Sequence, residues 1–114
     1  MTIKHPETTP VMENAHGVDA RNLYNTADAM ITIITLTPGQ KLRRHITPVD
    51  VAFYVLEGEG VVEVGDEKER VRSGHLIESP KDIVHCWYNE SDADLKFLVI
   101  KAPKPTTKTT FIAG

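Results

Sequence analysis

A chain of 114 residues makes one domain, long enough for a single core and too short for a second. Its net charge of −3, with 13 basic residues scattered among 16 acidic ones, leaves no electrostatic footprint for nucleic acid. No apolar run approaches the roughly 20 residues that span a bilayer, residues 1–6 lack the apolar core of a signal peptide, and the lone Cys86 can close no internal disulfide, so the expectation is a cytoplasmic protein without nucleic-acid or membrane partners.

Along the chain the pattern is strand after strand. Residues 1–17 carry Pro6, Pro10 and Gly17 with no sustained period, and residues 1–19 read as an extended N-terminal arm. Residues 19–25 offer the best helical pattern, yet strand or loop is preferred there. Residues 29–37 are rich in β-branched side chains and stop at Pro38-Gly39, a turn signal. Lys41, Arg43 and Arg44 read as a solvated strand edge or loop rather than a phosphate-binding patch. Apolar runs follow at 51–56 and 61–64, and Gly65-Asp66 joins the second of them to residues 67–71 as a hairpin. Ser73-Gly74 turns the chain into a short strand at Leu76-Ile77, and residues 79–82 form a loop. Residues 83–88 and 95–101 complete the set, parted by residues 89–92. Residues 104–114 read as a solvated tail whose Phe111 and Ile112 give it something to bury. Short strands at close spacing between Gly, Pro and Asp turns indicate an all-β sandwich or barrel.

Two spacings sharpen that reading. Gly39 is followed after five residues by His45, Ile46 and Thr47, and the chain runs on through Tyr54-Val55-Leu56-Glu57-Gly58-Glu59-Gly60. Gly74 is followed after five residues by Pro80, then Asp82, His85 and Asn89. This layout resembles the two signature motifs of the cupin family, G-x5-H-x-H-x3,4-E-x6-G and G-x5-P-x-G-x2-H-x3-N. The resemblance covers residues 20–103 and implies a single double-stranded β-helix, a jelly-roll barrel. In a full family set, three histidines and one glutamate hold a metal inside the barrel. Here the second histidine is Thr47, the glutamate position counted back from Gly58 is Val51, and Asp82 replaces a glycine. Only His45 and His85 remain of the implied ligands.

Side chains alternate across a strand, so placing His45 inward also turns Thr47, Val51 and Phe53 inward and leaves Asp50 outside. By the same parity His85, Trp87 and Asn89 lie together while Cys86 and Tyr88 face away. The expected pocket is therefore His45, Thr47, Val51, Phe53, His85 and Trp87. Two imidazoles can hold Zn, Ni, Fe or Mn weakly, but catalytic zinc ordinarily takes three protein ligands and non-haem iron adds a carboxylate. The competing reading needs no metal: His45 and His85 are inward histidines bonded to water or backbone. Phe53, Trp87 and Phe97 read as core before they read as a stacking wall, although the Trp87 indole N–H needs a partner if buried. A metal-free acid–base enzyme is a further reading, as in some cupin-like epimerases, but alternation places no carboxylate beside His45. The leading function is a small-molecule-binding barrel with an incomplete metal site. Its alternative is a metal-dependent dioxygenase or isomerase using His45 and His85. A stand-alone regulatory domain lacks the helix-turn-helix segment that would mark a transcription factor. Apolar residues on both faces of 52–56 imply a homodimer that buries Tyr54 or Leu56 with help from the N-terminal arm.

Overall fold

In the computed structural model, which describes residues 1–113, the chain forms ten strands. They are β1 (Asp19–Asn25), β2 (Met30–Leu36), β3 (Lys41–Ile46), β4 (Val51–Glu57), β5 (Glu59–Val64), β6 (Glu67–Arg72), β7 (Leu76–Ser79), β8 (Val84–Tyr88), β9 (Leu95–Lys101) and β10 (Thr110–Phe111). A single 3-10 turn at Pro6–Thr8 is the one helical element among the described residues. Two five-stranded antiparallel sheets result, ordered β1-β2-β9-β4-β7 and β10-β3-β8-β5-β6, and they fold face to face as the expected jelly-roll barrel. The region read as strand or loop at residues 19–25 is strand β1. The C-terminal segment holds more structure than a solvated tail, because Thr110 and Phe111 pair with Ile46 and His45 at the edge of β3.

Alternation builds the core. Thr32, Ile34 and Leu36 of β2, Val51, Phe53 and Val55 of β4, and Leu95, Phe97 and Val99 of β9 are all buried on the inward face. Trp87 stacks on Phe97 with ring centroids 4.2 Å apart, and Phe53 meets both rings edge-on. These three aromatics are core, and such pairs add to the stability gained from area burial. Trp87 Nε1 nevertheless has no hydrogen-bond partner among the described residues, an exception to the rule that buried donors are satisfied.

Alternation also breaks where it matters. Leu42 pairs with Trp87 and His45 with His85, so three steps on β3 face two on β8. This β-bulge turns Leu42 and His45 inward together and leaves both Arg43 and Arg44 exposed. Unbroken parity from His45 would have pointed Arg43 into the barrel.

Motif residues away from the cavity lining hold the loops. Asn89 is buried and satisfies all of its amide: Nδ2 donates to Leu36 O and Ala93 O at 2.8 Å each, and Oδ1 accepts from Ser91 N at 3.0 Å and Ser91 Oγ at 2.7 Å. Asp82, in the place of the motif's glycine, has φ 64°, a left-handed conformation that Asp tolerates better than most residues. Gly58 has φ +81°, and a Cβ there would overlap the Asp94 carbonyl, whereas Gly74, at φ +92°, faces open space. Gly58→Ala is therefore expected to lower stability by about 2–4 kcal/mol and Gly74→Ala by about 1–2 kcal/mol. Urea unfolding of the two variants checks the order, and equal losses would show that packing against Asp94 is not what fixes Gly58.

Candidate functional site

The barrel encloses one cavity of about 200 Å³ into which residues from both sheets and both chain ends project. His45 (β3), Thr47, Phe53 (β4) and His85 (β8) line it, as expected from the sequence. Val51 and Trp87, also expected there, are buried in the surrounding core at 2% and 0% exposure and are not part of the lining. Trp87 sits opposite Leu42 and Val62, where the stack on Phe97 holds it. Cys86 faces away as parity requires, its thiol donating to Tyr88 Oη at 3.3 Å, and burial pushes the thiol pKa up.

Two further basic groups enter the cavity that motif reading had not singled out. His16 comes from the N-terminal segment and Lys101 from the end of β9. Asn14 shapes the loop that presents His16: its Nδ2 donates to Met12 O and Val18 O, and its Oδ1 accepts from His16 N and Val18 N. The bulge then captures His16, because the Arg43 N–H donates to His16 Nδ1 at 2.8 Å. Only the fold joins residues 27 apart in this way, so the sequence carried no signal for it. Lys101 is different. It extends the inward series Leu95, Phe97, Val99, and a lysine closing an apolar alternation was a readable sign.

The hydrogen-bond network assigns the tautomers. His45 Nδ1 lies 2.6 Å from Arg43 O, a carbonyl that can only accept, so this nitrogen carries the proton and Nε2 of the neutral ring is an acceptor. His85 Nε2, 3.0 Å away, is then the donor in the pair, and Thr47 Oγ1 lies 3.3 Å from the same nitrogen. His85 Nδ1 in turn accepts from Ser79 Oγ–H at 2.7 Å. Both imidazoles are thus satisfied as neutral rings.

Charge agrees with this assignment. Burial, reinforced by His45, Lys101 and His16, lowers the His85 pKa to about 3. Burial, then His45, Arg43 and Lys101, brings His16 to about 4. His45 is also lowered, by burial against the opposing Arg43 carbonyl and with Lys101 adding to the fall. Lys101 itself is lowered by burial.

A divalent metal does not fit this donor set well. Two imidazoles converge, Thr47 adds a hydroxyl, no Asp or Glu lines the cavity, and no group of three His, Cys, Asp or Glu among the described residues could hold an ion. The Lys101 ammonium would moreover repel a cation. What the arrangement can do is hold a small molecule between apolar walls, donate hydrogen bonds from the Thr47 hydroxyl and from His16 Nε2, and favour negative charge beside Lys101.

Residues 32–101 match the family model described as a Cupin domain, and the chain belongs to that family. It is similar to TT1209 from Thermus thermophilus, with 29% identity and a TM-score of 0.79 over 92% of this chain and 100% of that one. The polyketide cyclase RemF from Streptomyces resistomycificus shares the fold at a TM-score of 0.86 with 18% identity, over 100% of this chain and 87% of that one. A 3-hydroxyanthranilate 3,4-dioxygenase from Jannaschia sp. is 29% identical over 92 residues, 77% of this chain and 50% of the enzyme, so the chain spans about half of that relative's length. No helix among the described residues is long and apolar enough to cross a membrane.

The depressed imidazoles make stability depend on pH. Their folded pKa values lie below the unfolded value of 6.5, so above pH 6.5 both states are neutral and the rings contribute no pH dependence. From 6.5 down to about 4 for His16 and about 3 for His85, the unfolded chain binds protons that the folded chain refuses. Stability is lost as pH falls through that window. Tm is therefore expected to drop between pH 6.5 and about 5, before carboxylates titrate, and to drop less in His16→Gln. A Tm unchanged between pH 7 and about 5 would mean that the imidazoles are not buried as neutral rings.

Proposed function

We propose that this protein is a small-molecule-binding cupin barrel that works without a tightly held metal, its ligand seated against His45, Thr47, Phe53 and His85. The observation that carries this reading is the closed His45–His85 pair, whose ring nitrogens find their partners in each other, Arg43 O and Ser79 Oγ. A full metal set would have needed a carboxylate where Val51 packs in the core.

A second reading, a metal-dependent enzyme of dioxygenase or isomerase type, draws support from the Jannaschia dioxygenase relative and from the 3.0 Å separation of the two Nε2 atoms. Cis ligands of one ion at about 2.1 Å would stand about this far apart. Outer ring nitrogens held by a carbonyl and a hydroxyl are also what orients metal-binding histidines elsewhere. Elemental analysis and native mass spectrometry of the purified protein separate the two. The first reading expects substoichiometric Zn, Ni, Fe and Mn together with an organic occupant that is lost in His85→Ala. One tightly held metal per chain would favour the enzyme instead.

The protein is further proposed to be a homodimer through the outer face of the first sheet. Cross-strand pairing sets Leu98, Tyr54 and Leu76 in one row, with Ile33 buried at its end, and Ile31, Ile100 and Ala52 in the next. Leu76 is 57% and Tyr54 36% exposed in the single chain, a contiguous apolar surface that water would not tolerate cheaply. Sedimentation at micromolar concentration should show a dimer, and Leu76→Asp should shift it toward monomer. A wild-type monomer would remove the proposal.

A further inference from the structure

All the titratable side chains that line the cavity are basic. They are His16, His45, His85 and Lys101, drawn from four separate segments of the chain, and neither Asp nor Glu faces them. His45 and His85 are accounted for by the hydrogen bonds of Arg43, Ser79 and each other, and His16 Nδ1 by the Arg43 N–H. Lys101 is not: its ammonium makes no ion pair with any described residue, the two pairs found being Arg21–Asp19 and Lys68–Glu63 on the outside. The Lys101 side chain is half-buried, an ammonium partly withdrawn from water without a counter-charge is costly, and its pKa is lowered by that burial. Barrel strands could have set a carboxylate there, and set Val51 and Met30 beside it instead.

The rest of the lining describes what else the occupant must be. Val18, Ile34, Leu42, Phe53, Val99 and Phe111 make apolar walls around this basic end. The cavity, at about 200 Å³, falls below the roughly 300–1,000 Å³ of drug-sized sites. A bare inorganic oxyanion would leave those walls without a partner, and a neutral apolar molecule would leave Lys101 unpaired. A molecule with one anionic head and a short apolar body satisfies both.

We propose that the cavity binds a small organic monocarboxylate, its carboxylate paired with the Lys101 ammonium beside the imidazoles and its body against the apolar walls. This deepens the small-molecule-binding reading and rests on it. Charge-assisted hydrogen bonds from an ammonium to a carboxylate are stronger than neutral ones, and stronger again away from bulk water. Lys101 is then the residue that selects acids over their neutral isosteres, while the Thr47 hydroxyl and the Nε2–H of His16, whose Nδ1 accepts from Arg43 N, set the orientation of the head group.

Calorimetric titration at pH 7 with benzoate, isobutyrate, their amides benzamide and isobutyramide, and inorganic phosphate tests this. The acids should bind at least tenfold more tightly than the matching amides, and phosphate should bind more weakly than either acid. In Lys101→Met the preference should vanish, the acids losing at least tenfold in affinity relative to the matching amides. The wild-type acid-to-amide ratio decides the matter even if the variant does not fold. Equal affinity for acids and amides would overturn the carboxylate assignment and leave a small-molecule barrel standing. Phosphate binding as tightly as the acids would show recognition of charge alone and overturn the organic class. Failure of all five probes to bind would remove the small-molecule reading itself.

Discussion

The extra residue in β3 at Arg43–Arg44 is the constraint on which the cavity depends. A regular strand would alternate Leu42 out and Arg43 in on the way to an inward His45, driving a guanidinium into the core. The bulge instead keeps Leu42 packed against the aromatic core and turns His45 to meet His85 across the ladder. Bulges leave backbone groups without ladder partners, and here both are reused. The Arg43 N–H holds His16, and the Arg43 carbonyl fixes the proton on His45 Nδ1. One irregularity therefore sets the position of two imidazoles and the tautomer of one, and through that tautomer the direction of the His85–His45 hydrogen bond.

Losing a histidine and a glutamate from a metal-binding pattern changes more than the ligand count. The glutamate position carries Val51, so the barrel interior has no negative side chain, and Lys101 supplies a positive one nearby. Apolar surroundings amplify this imbalance because they screen it poorly. With a carboxylate present the same pair of positions would suit a divalent cation, and without it the proposed occupant is an anion. Fold alone does not choose between these outcomes, since one barrel carries a cyclase such as RemF and this cavity equally well.

Both ends of the chain converge on the mouth of the cavity. Met12, Asn14 and His16 approach from the N-terminal segment, and Thr109 and Phe111 from the C-terminal one. His16 and Phe111 meet edge-on with ring centroids 5.3 Å apart, and Arg43 lies over the Phe111 ring at 4.7 Å. Segments that composition marks as peripheral thus complete the site, and the Asn14 side chain, which folds its own loop, is what lets a stretch without regular structure hold a side chain in place.

The sequence by itself determined the barrel, because inward apolar alternation at 51–55 and 95–99 and the Gly, Pro and Asp turns between strands are local properties that leave little choice of fold. It also determined that His45, Thr47, Phe53 and His85 would line one cavity, since motif spacing and strand parity act over a few residues. Lys101 was legible by the same parity, as the polar end of an apolar series, although a ligand-centred reading passed over it. Tertiary structure alone decided the rest. Val51 and Trp87 have the right parity, but depth along the strand puts them in the packed core rather than at the cavity wall. His16 and Phe111 reach the site through pairings between distant segments, and the bulge at Arg43–Arg44 resets an alternation that the sequence shows as unbroken. Parity says which face a side chain takes, and only the packing of one sheet on the other says whether that face is filled or left open.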